Sequence, residues 1–140
     1  MVFRRSSHLF AVPTFFPKSS KLWGDIARKG GFDEKAVYNI QLATDEAASN
    51  IIEHAYEGIT NGVLELSCGM RGNVLTVVLV DHGEAFDPSE IPIPDLKADL
   101  SDRKIGGLGI FLMRKLMDEV HYESHPEKNN NILTMIKRKG

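Results

Sequence analysis

Thr44-Asp45-Glu46-Ala47-Ala48-Ser49-Asn50-Ile51-Ile52-Glu53-His54-Ala55-Tyr56 is the stretch on which the reading of the fold turns. It closes a segment opening at Asp33, in which Val37, Ile40, Ala43, Ala47, Ile51 and Ala55 recur at three- and four-residue steps. That is the spacing of one apolar helix face, and Asp33 is a suitable N-cap for it. The spacing predicts a long helix reaching Tyr56. Glu46, Asn50 and His54 follow at four-residue steps, so the helix gathers them on one stripe, beside the small side chains of Ala43 and Ala47. Two readings of that stripe stay open. A solvated helix face carries such residues as a matter of course, and a Glu and an Asn one turn apart can also hold a magnesium ion through oxygen ligands and water.

Upstream of this helix, His8 to Thr14 reads as a short strand and Ser19 to Lys29 as a helix ended by Gly30-Gly31. Downstream, Asn61-Gly62 signals a turn. Val63 to Met70 and Val74 to Val80 then read as strands joined through Arg71-Gly72-Asn73 as a hairpin. The second strand is nearly all apolar, which predicts an interior position in the sheet. From His82 to Ile105 the three prolines Pro88, Pro92 and Pro94 and scattered charges preclude a regular element. Loops of that length are usually functional lids or disordered. A helix from Leu108 to about Glu119 follows Gly106-Gly107, and strands Val120 to Ser124 and Ile132 to Lys137 end the chain. The order β-α-α-β-β-lid-α-β-β, with hairpin-paired strands and helices grouped on one face, predicts an α+β fold, a two-layer α/β sandwich.

Residues 1–140 are expected to form one domain, large enough to bury a core without disulfides or a structural metal. With 17 basic and 19 acidic residues, a formal charge of -2 gives no reason to expect nucleic acid or an anionic membrane as a partner. The single cysteine, Cys68, rules out an internal disulfide and suits a reducing compartment. Leu9 to Phe16 is broken by Pro13 and Thr14 and has no small-residue cleavage site, so it reads as strand and not as a signal peptide. The expected location is cytoplasmic. The five histidines form no zinc pattern, His82 is expected to point to solvent, and Cys68, Met113 and Met117 read as core.

Two further clusters carry possible chemistry. Asp81-His82-Gly83 ends the apolar strand and is followed by Phe86-Asp87-Pro88. A carboxylate there can accept from a ligand amine, and Gly83 allows close backbone approach, although Asp and Gly are also ordinary strand-end turn residues. Gly106-Gly107-Leu108-Gly109 opens the last helix. Glycines at a helix N-terminus leave amides free to cradle phosphate with help from the helix dipole, but a plain helix-start turn has the same letters. Neither the P-loop nor the Rossmann pattern is present.

Taken in series, the three clusters resemble the Bergerat, or histidine-kinase-like ATPase, fold of the GHKL superfamily. The closer likeness is to the anti-sigma factor serine/threonine-protein kinases of bacterial partner-switching systems. Thr44 to Tyr56 looks like that family's N-box, Val80 to Gly83 with Phe86-Asp87-Pro88 like its first glycine box, and Gly106 to Ile110 running on to Leu116-Met117-Asp118-Glu119-Val120 like its second. Leu133-Thr134-Met135 looks like its last strand, and the likeness extends from about Phe10 to Lys137.

The resemblance implies ATP and Mg2+ as cofactors, with Asp81 accepting from the adenine amino group, Gly83 close to the base and Thr134 supporting the Asp81 contact. It implies Asn50 as the magnesium ligand, Gly106, Gly107, Leu108 and Gly109 around the phosphates, and Glu46 as general base on a protein hydroxyl. Arg103 and Lys104 in the lid read as solvated charges before a γ-phosphate contact. Implied partners are a sigma factor, an anti-sigma factor antagonist of the STAS-domain type and a second copy of the chain in a homodimer. A module that binds ATP and regulates a partner without phosphorylating it is the alternative, and retention of Glu46 favours the kinase. A detached histidine-kinase catalytic domain fits less well, because no separate helical hairpin carries a phospho-acceptor histidine.

Overall fold

Burial along Val74–Asp81 alternates residue by residue, with Leu75, Val77, Leu79 and Asp81 facing inward. A strand paired on both sides and covered on one face has this pattern. The computed structural model describes residues 3–11, 20–51, 63–83 and 105–140, with side chains for 21–51, 64–83 and 111–140. Its elements run β1 (Phe3–Ala11), α1 (Ser20–Lys29), α2 (Glu34–Asn50), β2 (Val63–Arg71), β3 (Val74–Asp81), α3 (Ile105–Leu116), β4 (Glu119–His125) and β5 (Asn130–Arg138), with a 3₁₀ turn at Pro126–Lys128. The strands form one antiparallel sheet in the order β1-β2-β3-β5-β4, so β3 is interior as its composition predicts.

Leu64, Leu66, Cys68 and Met70 of β2, Leu75, Val77 and Leu79 of β3, and Leu133 and Met135 of β5 share one apolar cluster with Trp23, Ile40, Ala47 and Met113. Residues of all three helices belong to that cluster, so the helices cover the same sheet face and the fold is a two-layer α+β sandwich. Cys68, Met113 and Met117 are core residues, as expected. Burial pushes the Cys68 thiol up to about 12, which leaves it without thiolate character.

Local signals account for the helix ends. Gly31 takes φ 93° while its N–H bonds Arg28 O and the Phe32 N–H reaches Ala27 O, a Schellman stop with buried Phe32 as its apolar contact. Asp33 then caps α2, accepting from the Ala36 N–H at 2.8 Å. Thr44 is fully buried within α2 and satisfies its hydroxyl by donating to Ile40 O at 2.8 Å. Ile51 keeps helical dihedrals, and residues 52–56 of the expected helix, His54 among them, lie outside the described residues.

Several expected boundaries move, and tertiary pairing is the reason in each case. β1 begins at Phe3, ahead of the expected His8, because it pairs along the whole nine-residue length of β2, and residues 12–14 of the expected strand lie outside the described residues. The β2–β3 turn is tighter than a three-residue loop. Arg71 pairs with Val74, and Gly72 at φ 58° supplies the positive φ that short hairpin turns demand. α3 begins at Ile105, so its glycines lie in the first turn and not ahead of it. It ends at Leu116 instead of Glu119, because the Asp118 N–H bonds Ile136 O and Asp118 Oδ2 accepts from the Arg138 N–H, which draws the chain into β4. Lys137 Nζ closes this helix end by donating to Leu116 O at 2.6 Å.

The Asp33 cap gives a stability test. Asp33→Ala should lower the unfolding free energy by about 1 kcal/mol, read as a reduced urea midpoint at unchanged slope. Retention of the wild-type midpoint would show that α2 does not depend on its cap.

Candidate functional site

β3 delivers Asp81 to the sheet end on the core side, where it is 2 % exposed. A buried carboxylate needs donors, and two converge on one oxygen. Asp81 Oδ1 accepts from the Gly83 N–H at 3.0 Å and from Asn131 Nδ2 at 2.9 Å. Oδ2 accepts from no described residue. Burial pushes the Asp81 carboxyl above its ordinary range, while the bonds from Asn131 and Gly83 and the nearby His82 pull it back. Held in this way, Oδ2 is an acceptor presented at the end of a rigid strand, suited to an amine.

Asn131 is itself 3 % exposed and donates a second time, to Gly83 O at 3.1 Å. Its own oxygen accepts from Ser124 Oγ at 2.9 Å. Asp81 pairs with Asn131 and Asn131 with Ser124 in the sheet register, so the three lie in one row across β3, β5 and β4. The sequence reading missed Asn131 and Ser124. In the sequence Asn131 ends a run of three asparagines that looks like a polar turn, and only the strand register sets it beside Asp81.

Thr134, expected to support Asp81, does not do so. It pairs with Val78, three positions along from the Asp81–Asn131 pair. It also falls between the buried Leu133 and Met135, on the face opposite Asp81. Asn131 occupies the place that the resemblance gave to Thr134.

Asn50, the last residue of α2, is 4 % exposed and its Nδ2 has no partner. An orphaned buried amide is costly, and a turn of the amide about its last torsion would aim its oxygen, an acceptor, where the nitrogen now points. Glu46, one turn earlier, is half-buried. Gly106, Gly107, Leu108 and Gly109 are the second to fifth residues of α3. The first four amides of a helix have no intrahelical partner, so Gly106, Gly107 and Leu108 retain donors for an anion although they are helical, whereas Gly109, the fifth residue, lies past them. Arg103 and Lys104 lie outside the described residues, as does most of the expected lid.

His82 is exposed, as expected, and its ring meets the Asn129 carbonyl at 2.8 Å. A carbonyl only accepts, so Nδ1 carries the proton. His121 and His125 pair with Glu119 and Glu123. Among the described residues no group of three His, Cys, Asp or Glu could hold a metal ion. No helix among them is long and apolar enough to cross a membrane.

Beside Glu46 stands Asp45, which the sequence did not single out. Its Oδ1 is buried without a partner, and its carboxyl is pushed up to about 6, by burial first and then by the Glu46 charge.

Comparison with known proteins follows the same lines. A family model described as histidine kinase-like ATPase domain matches residues 16–137. The chain is 34% identical over 99 residues to the serine-protein kinase RsbW of Listeria monocytogenes, an alignment spanning 68% of this chain and 63% of the relative. It is 32% identical over 107 residues to the protein of that name from Bacillus subtilis, spanning 71% and 65% of the two chains. With the Halalkalibacterium halodurans protein it shares 32% identity over 117 residues, 80% of this chain and 68% of the relative. The chain thus spans a little under two thirds of the length of the first two relatives.

Asp45 supports a prediction about pH. Its folded-state value, about 6, lies above the ordinary 3.8, so folding favours the protonated acid. Its contribution to stability is therefore lost as pH rises through that window. Asp45→Asn cannot ionise, so its urea midpoint relative to wild type should improve between about pH 4 and about pH 7. A difference constant across that range would remove the strain assigned to Asp45.

Proposed function

The chain belongs to the histidine kinase-like ATPase domain family, and from that premise we propose that it is an Mg-ATP-dependent serine/threonine protein kinase that also sequesters a sigma factor. The observation that carries the reading is Asp81, buried, fixed through Oδ1 and open at Oδ2. Oδ2 accepts from the adenine amino group, and Gly83 lets the base approach the backbone. The first-turn amides of α3, from Gly106, Gly107 and Leu108, donate to the phosphates, and Gly109, without a side chain, leaves room for their approach.

Asn50 would hold the magnesium ion through its amide oxygen, which suits a hard cation that takes its remaining ligands from phosphate and water. When bound, that ion neutralises phosphate charge. Glu46 takes the proton from a serine or threonine hydroxyl of the protein substrate. The hydroxyl oxygen then bonds to the γ-phosphorus, the bond to the bridging oxygen breaks, and ADP leaves with the electron pair. The rest of the catalysis is positioning and electrostatics.

The substrate is an anti-sigma factor antagonist of the STAS-domain type, and in its unphosphorylated state it displaces the sigma factor. The working form is a homodimer in the cytoplasm. Family membership and the similarity to proteins named serine-protein kinase support this reading, and retention of Glu46 favours it over an ATP-binding module without chemistry.

Two substitutions divide binding from chemistry. Asp81→Asn should weaken ATP binding by about tenfold or more, because an amide can turn a donor toward the adenine amine. Calorimetry with Mg-ATP reads this, and wild-type affinity would displace adenine from Asp81. Glu46→Gln should bind Mg-ATP within several-fold of wild type yet transfer phosphate roughly 10²–10⁴ times more slowly. Single-turnover phosphorylation of the antagonist is the measurement. Wild-type rates in the variant would remove Glu46 as the base. If the native protein binds ATP but transfers nothing, the non-catalytic module is correct.

A further inference from the structure

The row Asp81–Asn131–Ser124 is built so that each link orients the next. Asp81 Oδ1 and Gly83 O can only accept, so the Asn131 amide must turn its nitrogen toward both. That leaves Asn131 Oδ1 facing β4, where Ser124 Oγ donates to it. A half-exposed or mobile amide could exchange its two ends, but Asn131 is 3 % exposed and bonded at both. The donor aimed at Asp81 is therefore fixed by partners at the end of β3 and on β4. Asn131 and Gly83 together occupy Oδ1, and what remains is one carboxylate oxygen with a defined direction.

We infer that Asn131, held by Ser124, is a positioning residue that presents Asp81 Oδ2 to an exocyclic amine and so sets the pocket's preference for a 6-aminopurine nucleotide. This deepens the ATP-binding reading and rests on it. Asn131 acts through Asp81, with no contact to the nucleotide required. A carboxylate with no second donor would rotate between two equivalent oxygens and would accept a proton more readily as it is buried. Either change weakens the acceptor that meets the amine, because a rotating or protonated carboxyl accepts less well in that direction, so the 6-amino group contributes less to binding. Among described titratable groups, the exposed His82 is the one that acts on Asp81, and no charge from β4 or β5 is in the row. The neutral Asn131 amide therefore does from the β5 side what a cation would otherwise do.

The test uses the intact chain with magnesium and two probes, ATP and the triphosphate of unsubstituted purine riboside, which lacks the 6-amino group. Binding is measured by calorimetry across about pH 5 to pH 8 for wild type, Asn131→Ala and Ser124→Ala. Nucleotide protonation is common to all three and cancels in the comparison. Wild type should prefer ATP by about tenfold. In Asn131→Ala that preference should fall to about twofold, and the acid limb of ATP binding should move up by about half a pH unit to one unit. Ser124→Ala should change both in the same direction by a smaller amount. Because Ser124 is exposed, that variant carries the test if Asn131→Ala does not fold. A uniform loss of affinity, with the ATP preference and the acid limb unmoved, would make Asn131 a structural residue only and overturn the inference, as would wild-type behaviour in both variants. If wild type binds neither probe, the ATP-binding reading itself fails and takes this inference with it.

Discussion

The pairing of β3 with β5 is the constraint on which the rest of this structure depends. Strand side chains alternate with period two, so a slip of one residue would exchange every inward residue for an outward one. In the register observed, Val77 faces Met135 and Leu79 faces Leu133 within the core, and the next inward pair is Asp81 with Asn131. The apolar pairs hold the register, and the register places a carboxylate and an amide together at the sheet end. Neither polar side chain stabilises the fold strongly by itself. They are tolerated at that depth because they satisfy one another.

The helical layer is adapted to the same end. α2 covers the sheet with Val37, Ile40, Ala43, Ala47 and Ala48, and the alanines bring its backbone close to its neighbours. Buried polar residues on this helix fall into two kinds. Thr44 closes its own bond to Ile40 O and leaves nothing for a ligand. Asn50 keeps an unpartnered amide nitrogen at the C-terminal turn. That contrast separates a polar group that serves the fold from one that the described fold leaves unsatisfied.

Two acids, one buried and one half-buried, show how local surroundings divide similar side chains. Burial raises both Asp81 and Asp45. At Asp81 an amide and a backbone N–H offset part of that penalty, which keeps the carboxylate serviceable as an acceptor. At Asp45 the neighbouring Glu46 adds like charge, and one oxygen is buried without a donor. Such strain next to a proposed base is common where function competes with stability.

Element types, their order and the α+β class were legible in the sequence because they depend on local signals. The helical period from Val37 to Ile51, the Gly30-Gly31 stop, the Asp33 cap and the alternation in β2 all act within a few residues. The positions of Asp81 and the α3 glycines were legible for a related reason, since they lie at element ends that those signals define, and Asn50 was legible because it follows Glu46 by one turn on the α2 period. Boundaries were less so: β1 follows the length of β2, and α3 stops where β5 captures Asp118. Thr134 was misplaced and Asn131 missed for one shared reason. Which face a strand residue occupies, and what stands across from it, depends on pairing between segments 50 residues apart. The sequence by itself determined which chemistry-bearing residues end each element, whereas only the tertiary structure decided which of them meet, because strand register is fixed by the packing of the whole core and not by any local stretch of chain.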